Sequence, residues 1–152
     1  MSPVHAVDEA RAIGLLDEVA AAVGGATLLH CCTGDIPWNV LQRSAFGAVS
    51  VGVTALADGG LDGLGEFVDS GRSVVLGLVP ALAPVAPPSA EELAVSAAAV
   101  IDRLGFPRGV LRERIGVSPT CGLAGASEDW ARTATTLTQR AAEVLAVESE
   151  SI

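Results

Sequence analysis

Three residues with metal-binding side chains stand in two short segments, each just past an apolar run typical of a strand. His30 and Cys32 are separated by one residue, and Cys121 lies far downstream. All three cysteines of the chain, Cys31 included, fall in these two segments. One imidazole and two thiolates form a ligand set that suits zinc and leaves a coordination position for a substrate. The sequence therefore predicts a metal site at His30, Cys32 and Cys121.

The spacing of the first pair favours convergence on one point. In an extended strand, residues i and i+2 point to one face and residue i+1 to the other. His30 and Cys32 are therefore predicted to share a face, whereas Cys31 is predicted to pack inward, as cysteines often do. The alternatives are a core histidine with two buried thiols, or a site that has lost its metal.

Amphipathic and apolar segments alternate along the chain and indicate the elements that position these residues. Helical spacing of apolar residues predicts helices, and short apolar runs predict strands, of which the first is expected to be buried on both faces. Asp35 is the expected N-cap of the second helix, and Ser89 with Glu92 forms a capping box. Trp38 and Trp130 are expected to pack their helices on the sheet. The predicted helices cover 7–23, 36–44, 61–70, 89–104 and 127–147, and the strands 26–31, 47–53, 73–79 and 114–117.

This alternation predicts an α/β fold of four parallel βα units after a leading helix. Four such units form either a small open sheet or half of an eight-stranded barrel. Parallel strands present their carboxyl ends on one side of a sheet, where ligand sites form. Cys32 follows the first strand and Cys121 the fourth, so both are expected at the same rim. We expect one domain over 1–147 and a frayed tail over 148–152.

Composition narrows the function classes. The formal charge of −9, with only nine Lys and Arg, argues against binding to nucleic acid or to an anionic membrane surface. The first residues lack the basic and apolar regions of a signal peptide. No apolar run approaches the roughly 18–20 residues that span a bilayer. An odd cysteine count favours a reducing compartment, so we expect a cytoplasmic protein.

The segments 28–32 and 118–123, with the Val-rich strand that follows the first of them, resemble the C-terminal catalytic region of cobalamin-independent methionine synthase. The resemblance covers nearly the whole chain. It is specific at His-x-Cys after a strand and at Pro119-Thr120-Cys121-Gly122-Leu123 after the last one. That family belongs with uroporphyrinogen decarboxylase and the zinc methyltransferases that act on coenzyme M, all (βα)8 barrels. The four βα units would then form the C-terminal half of a (βα)8 TIM-type barrel.

The resemblance implies a zinc ion held by His30, Cys32 and Cys121, and a methyltransferase of methionine biosynthesis. Zinc would bind homocysteine as its thiolate, which takes the methyl group of a methylated folate. The alternatives are another thiol methyltransferase or a decarboxylase-like relative, and a non-catalytic half-barrel that binds a partner.

Two further expectations concern the surroundings of the site. Methionine synthases of this type use a Glu on the strand after His-x-Cys, but residues 50–55 contain no acid. Asp35 and Asp58 are the alternatives as a fourth ligand, although N-cap and turn roles are favoured for them. A half-barrel exposes its sheet edges and inner face. We therefore expect a missing N-terminal half or self-association to complete the sheet.

Overall fold

The computed structural model of the protein describes residues 7–56, 60–148 and 151–152. Helices and strands alternate over most of this length, and a short 3₁₀ turn, Val53–Leu56, follows the second strand. The helices are α1 (Glu9–Val23), α2 (Trp38–Arg43), α3 (Gly60–Asp69), α4 (Ala90–Leu104), α5 (Gly109–Arg114) and α6 (Glu128–Glu148). The strands are β1 (Leu28–Cys31), β2 (Ala48–Gly52), β3 (Ser73–Val79) and β4 (Ile115–Pro119).

The four strands form one sheet in the order β1-β2-β3-β4, and every neighbouring pair is parallel. Each strand thus lies beside the next one in the chain, with a helical connection between them. The predicted α/β class with four parallel strands is confirmed, and the order is consistent with half of a barrel.

The core lies between the sheet and the helices. Val51 of β2 and Leu76 of β3 lie side by side in the strand register and are fully buried. They belong to one cluster with Phe67 of α3 and Ala97 of α4. Alanines on the inner side of α4 let that helix approach the sheet closely, because they add little volume between the two layers. In β1, by contrast, exposed residues alternate with half-buried ones, so the predicted burial of this strand on both faces is wrong.

The fourth helix shows how local sequence sets its limits. The Ser89 hydroxyl accepts a hydrogen bond from the Glu92 backbone N–H (3.1 Å), and the Glu92 carboxylate accepts one from the Ser89 N–H (2.7 Å). Gly105 ends the helix in the left-handed conformation, with φ of 73°. The predicted capping box and the helix end at Leu104 are both confirmed.

Two local predictions are wrong. Asp35 does not cap the second helix, because α2 begins at Trp38 and Pro37 occupies its N-cap position without a side-chain hydrogen bond. Asp35 lies two residues too early for its carboxylate to cap, and its carbonyl instead accepts a hydrogen bond from the Thr33 hydroxyl (2.7 Å). The short helix α5 was not predicted, because four of its six residues are Gly, Arg or Glu and only Leu111 is buried.

No helix in the described ranges is long and apolar enough to cross a membrane. Asp58, the second acidic alternative, lies outside the described residues.

Candidate metal centre

The structure brings the three predicted ligands together. One side-chain donor atom from each of His30, Cys32 and Cys121 lies within 4.8 Å of the other two, and all three residues are exposed. Cys31 is half-buried and packs against the core on the opposite side of the strand. Cys32 therefore lies at the site and Cys31 packs against the core, as expected. The alternative of a core histidine with two buried thiols is wrong, because these side chains are exposed.

His30 is oriented by the neighbouring strand. It lies in register with Ser50 of β2, so both side chains point to the sheet face away from the helices. The His30 Nδ1 atom lies 3.2 Å from the Ser50 hydroxyl oxygen. Ser50 is only 5% exposed, which holds its hydroxyl in place. The second ring nitrogen of His30, Nε2, is thereby left to bind a metal.

Cys121 reaches this point from the other side of the sheet. Strands β1 and β4 are separated by β2 and β3, which corresponds to roughly 14 Å at the usual strand spacing. The chain leaving β4 therefore has to cross the end of β3. A hydrogen bond from the Thr120 N–H to the Val79 carbonyl (2.8 Å) holds the chain against the end of β3 at this point. The strand register is irregular between Gly77 and Val79, where this crossing begins.

Gly77 makes the crossing sterically possible. A Cβ at this position would lie 2.9 Å from the Thr120 Cα and 3.3 Å from the Pro119 carbonyl oxygen. At Gly52, on the neighbouring strand, an added Cβ would meet its nearest atoms at 3.8 and 4.0 Å, which is ordinary contact. Sequence reasoning missed Gly77, although a glycine inside an otherwise Val- and Leu-rich strand is a signal of close backbone approach.

The residues present fit a zinc ion. Tetrahedral zinc with sulfur and nitrogen ligands places its donor atoms roughly 3.5–3.8 Å apart. The observed limit of 4.8 Å lies about 1 Å beyond this spacing, so the three side chains have to move inward to close on a metal ion. Soft thiolates with an imidazole favour zinc over magnesium or calcium. Within the described residues Asp35 does not join this group.

Trp130 packs its helix against the end of the sheet, whereas the closest contacts of Trp38 are with helix α3. Trp130 of α6 is buried, and its indole N–H donates to the Pro80 carbonyl (3.0 Å), which ties α6 to the end of β3. Trp38 of α2 packs beside Phe67, with ring centroids 6.2 Å apart. A Cβ at Gly63 of α3 would lie 2.1 Å from the Trp38 ring. Both rings therefore fix helices near the rim that carries the metal ligands.

A cleft of about 690 Å³ lies between the Pro-rich connection over residues 80–88 and α4. Pro87, Pro88 and Glu92 are among its lining residues, and none of the three metal ligands is.

A family model covers most of the chain. The family model described as the catalytic domain of cobalamin-independent synthase matches residues 1–144. No curated protein matches the chain. The match spans both ligand-bearing segments, so it covers the sheet and the whole candidate metal centre.

Proposed function

Because the chain belongs to the family of the cobalamin-independent synthase catalytic domain, we propose that it is a zinc-dependent methyltransferase domain. In this proposal it transfers a methyl group from a methylated folate to the thiolate of homocysteine, giving methionine. The observation that carries the proposal is the convergence of one imidazole and two cysteine sulfurs, from opposite edges of the sheet, within 4.8 Å.

The chain's own residues hold the metal in this proposal. His30 would hold the metal through Nε2, and Cys32 and Cys121 would hold it as thiolates, the form in which cysteine ligates metals. When bound, zinc acts as a Lewis acid that favours the thiolate form of a coordinated thiol substrate. All three ligand residues are exposed, so a metal held there would be accessible to a small thiol from solvent.

The bond changes follow from this arrangement. The substrate sulfur forms a bond to the methyl carbon, and the bond between that carbon and the donor nitrogen breaks. The nitrogen keeps the electron pair and takes up a proton from solvent. Cys32 and Cys121 would fix the position of the metal that binds the substrate sulfur. Ser50 would hold the His30 ring in its orientation.

We further propose that the sheet is the C-terminal half of a (βα)8 barrel that a second chain or a second copy completes. Within the part of the chain that the structure describes, β1 and β4 each pair on one side only, and such strand edges tend to recruit further strands. Leu28, which shares the face of His30, is 48% exposed. Three free cysteines support a cytoplasmic location in this proposal.

Methyl transfer to a thiol other than homocysteine is the second candidate. It is favoured by the stretch 50–55 at the end of β2, which carries no acidic residue. Methionine synthases resembling this chain have a Glu there, whereas the signature of the coenzyme M branch is His-x-Cys with a later Cys.

The experiment is a methyl-transfer assay on the zinc-loaded chain with polyglutamylated methyl-folate as donor. Homocysteine and coenzyme M are offered separately as acceptors, and both are tested again with a synthase N-terminal half-barrel added. Methionine formation that Cys121→Ser abolishes and Cys31→Ser retains supports the leading proposal, since both variants exchange a thiol for a hydroxyl. Methylation of coenzyme M alone supports the second candidate. Equal activity of Cys121→Ser and wild type, or no methyl transfer in any combination, contradicts both.

A further inference from the structure

Two serine hydroxyl groups form a line across the sheet face that carries the metal centre. The side chains around them on this face are small or apolar. Ser50 of β2 lies next to His30, and Ser118 of β4 lies on the other side of β3. Their hydroxyl oxygens are 3.5 Å apart, although a whole strand separates the two residues. Gly77, which pairs with Ser118 in the strand register, has no side chain to stand between them. The line runs from the imidazole to the β4 backbone.

The far end of this line determines its direction. The Ser118 hydroxyl lies 2.9 Å from the Pro119 carbonyl oxygen and donates its proton to it, because a carbonyl can only accept. The Ser118 oxygen is then left to accept from the Ser50 hydroxyl. Ser50, having donated its single proton, accepts from His30 at Nδ1. Each hydroxyl has one proton to donate, so all three hydrogen bonds form together only when His30 donates to Ser50, Ser50 to Ser118, and Ser118 to the Pro119 carbonyl.

We propose that Ser50 and Ser118 are positioning residues that fix His30 in the Nδ1–H tautomer and so direct its Nε2 lone pair toward the metal. The inference rests on the proposed metal centre, and it deepens that proposal by adding the two hydroxyls that orient its nitrogen ligand. Partners of this kind set both the tautomer and the ring orientation of metal-binding histidines. Ser50 is 5% exposed, so water does not readily replace its hydroxyl.

The metal-free chain provides the first test, independent of any activity. Nitrogen-15 NMR of the histidine ring at alkaline pH, where imidazoles are neutral, reports which nitrogen carries the proton. We expect the Nδ1–H form of His30 in the wild type and a shift toward the Nε2–H form in both Ser50→Ala and Ser118→Ala. Ser73→Ala is the matched control, because Ser73 lies on the same sheet face at the opposite end of β3. It is expected to leave the tautomer unchanged.

The second test is metal affinity, measured with Co²⁺ and Zn²⁺ against a chromophoric chelator. We expect Ser50→Ala to weaken binding by roughly 10–100-fold and Ser118→Ala to weaken it less, with Ser50→Thr restoring most of the loss. An Nε2–H tautomer in the wild type, or a tautomer unchanged in folded Ser118→Ala and Ser50→Ala, overturns the inference. Absence of methyl transfer alone, with the tautomer shifts as expected, contradicts the proposed reaction and leaves this inference standing.

Discussion

Replacing Gly77 with alanine tests how the chain brings Cys121 to the other two ligands. The added Cβ would lie 2.9 Å from the Thr120 Cα, whereas ordinary van der Waals contacts begin at 3.4 Å. The backbone at Thr120 must therefore move by about 0.5 Å (3.4 − 2.9). Metal-ligand distances tolerate only about 0.2 Å of error. A displacement of the residue before Cys121 is therefore expected to weaken zinc binding by roughly 10-fold or more, close to the loss of a supporting group.

Stability separates the steric effect from loss of fold. Alanine in a strand gains about 0.5–1 kcal/mol over glycine, whereas overpacking costs about 1–3 kcal/mol. Gly77→Ala is therefore expected to lower the free energy of unfolding of the metal-free chain by about 0–2.5 kcal/mol. Gly52→Ala is the matched control, because its Cβ would have contacts no closer than 3.8 Å. It is expected to be neutral or slightly stabilising.

The assay pairs urea unfolding of the metal-free variants with zinc affinity from chelator competition. Weaker zinc binding in Gly77→Ala, with Gly52→Ala close to wild type, agrees with the crossing of β3 as the means of positioning Cys121. A folded Gly77→Ala chain that binds zinc as tightly as the wild type would refute this reasoning.

Further predictions concern helix packing and capping. Gly63→Ala is expected to destabilise the chain by about 1–3 kcal/mol or more, because the new Cβ would lie 2.1 Å from the Trp38 ring. Gly14→Ala in α1 meets nothing within 4 Å and is expected to stabilise by about 0.5–1 kcal/mol, a sign opposite to that of Gly63→Ala in urea unfolding. Ser89→Ala is expected to cost about 1 kcal/mol through loss of the capping box, while Ser96→Ala, within the same helix, is expected to change the unfolding midpoint little. A Ser89→Ala midpoint equal to that of Ser96→Ala would contradict the role given to the cap.

Much of the fold was predictable because its signals are local. The strand Ser73–Val79 and the helix Ala90–Leu104 agree with the sequence prediction at both ends, since an apolar run, a capping box and a terminal glycine act within a few residues. The start of α2 was mispredicted because Asp35 is a favoured N-cap residue type, whereas Pro37 occupies the N-cap position in the structure. Helix α5 gives almost no apolar periodicity.

The metal ligands were predictable from the sequence, but the residues that position them were not predicted. Strand parity places His30 and Cys32 together, and the shared carboxyl ends of parallel strands bring Cys121 to the same rim. The contributions of Ser50 and Gly77 depend on strand register and on the path of the chain after β4. Ser50 has no short sequence signal for its role, whereas Gly77 has one that was overlooked, a glycine inside a Val- and Leu-rich strand.

The most direct measurement of the central claim is zinc content combined with X-ray absorption spectroscopy of the metal edge. The chain, purified with zinc present, is expected to hold about one zinc ion with two sulfur neighbours near 2.3 Å and a nitrogen near 2.0–2.1 Å. Cys31→Ser is expected to leave that sulfur shell unchanged, and Cys121→Ser to reduce it to one sulfur. A folded chain without zinc, or with a zinc shell that contains no sulfur, would contradict the account.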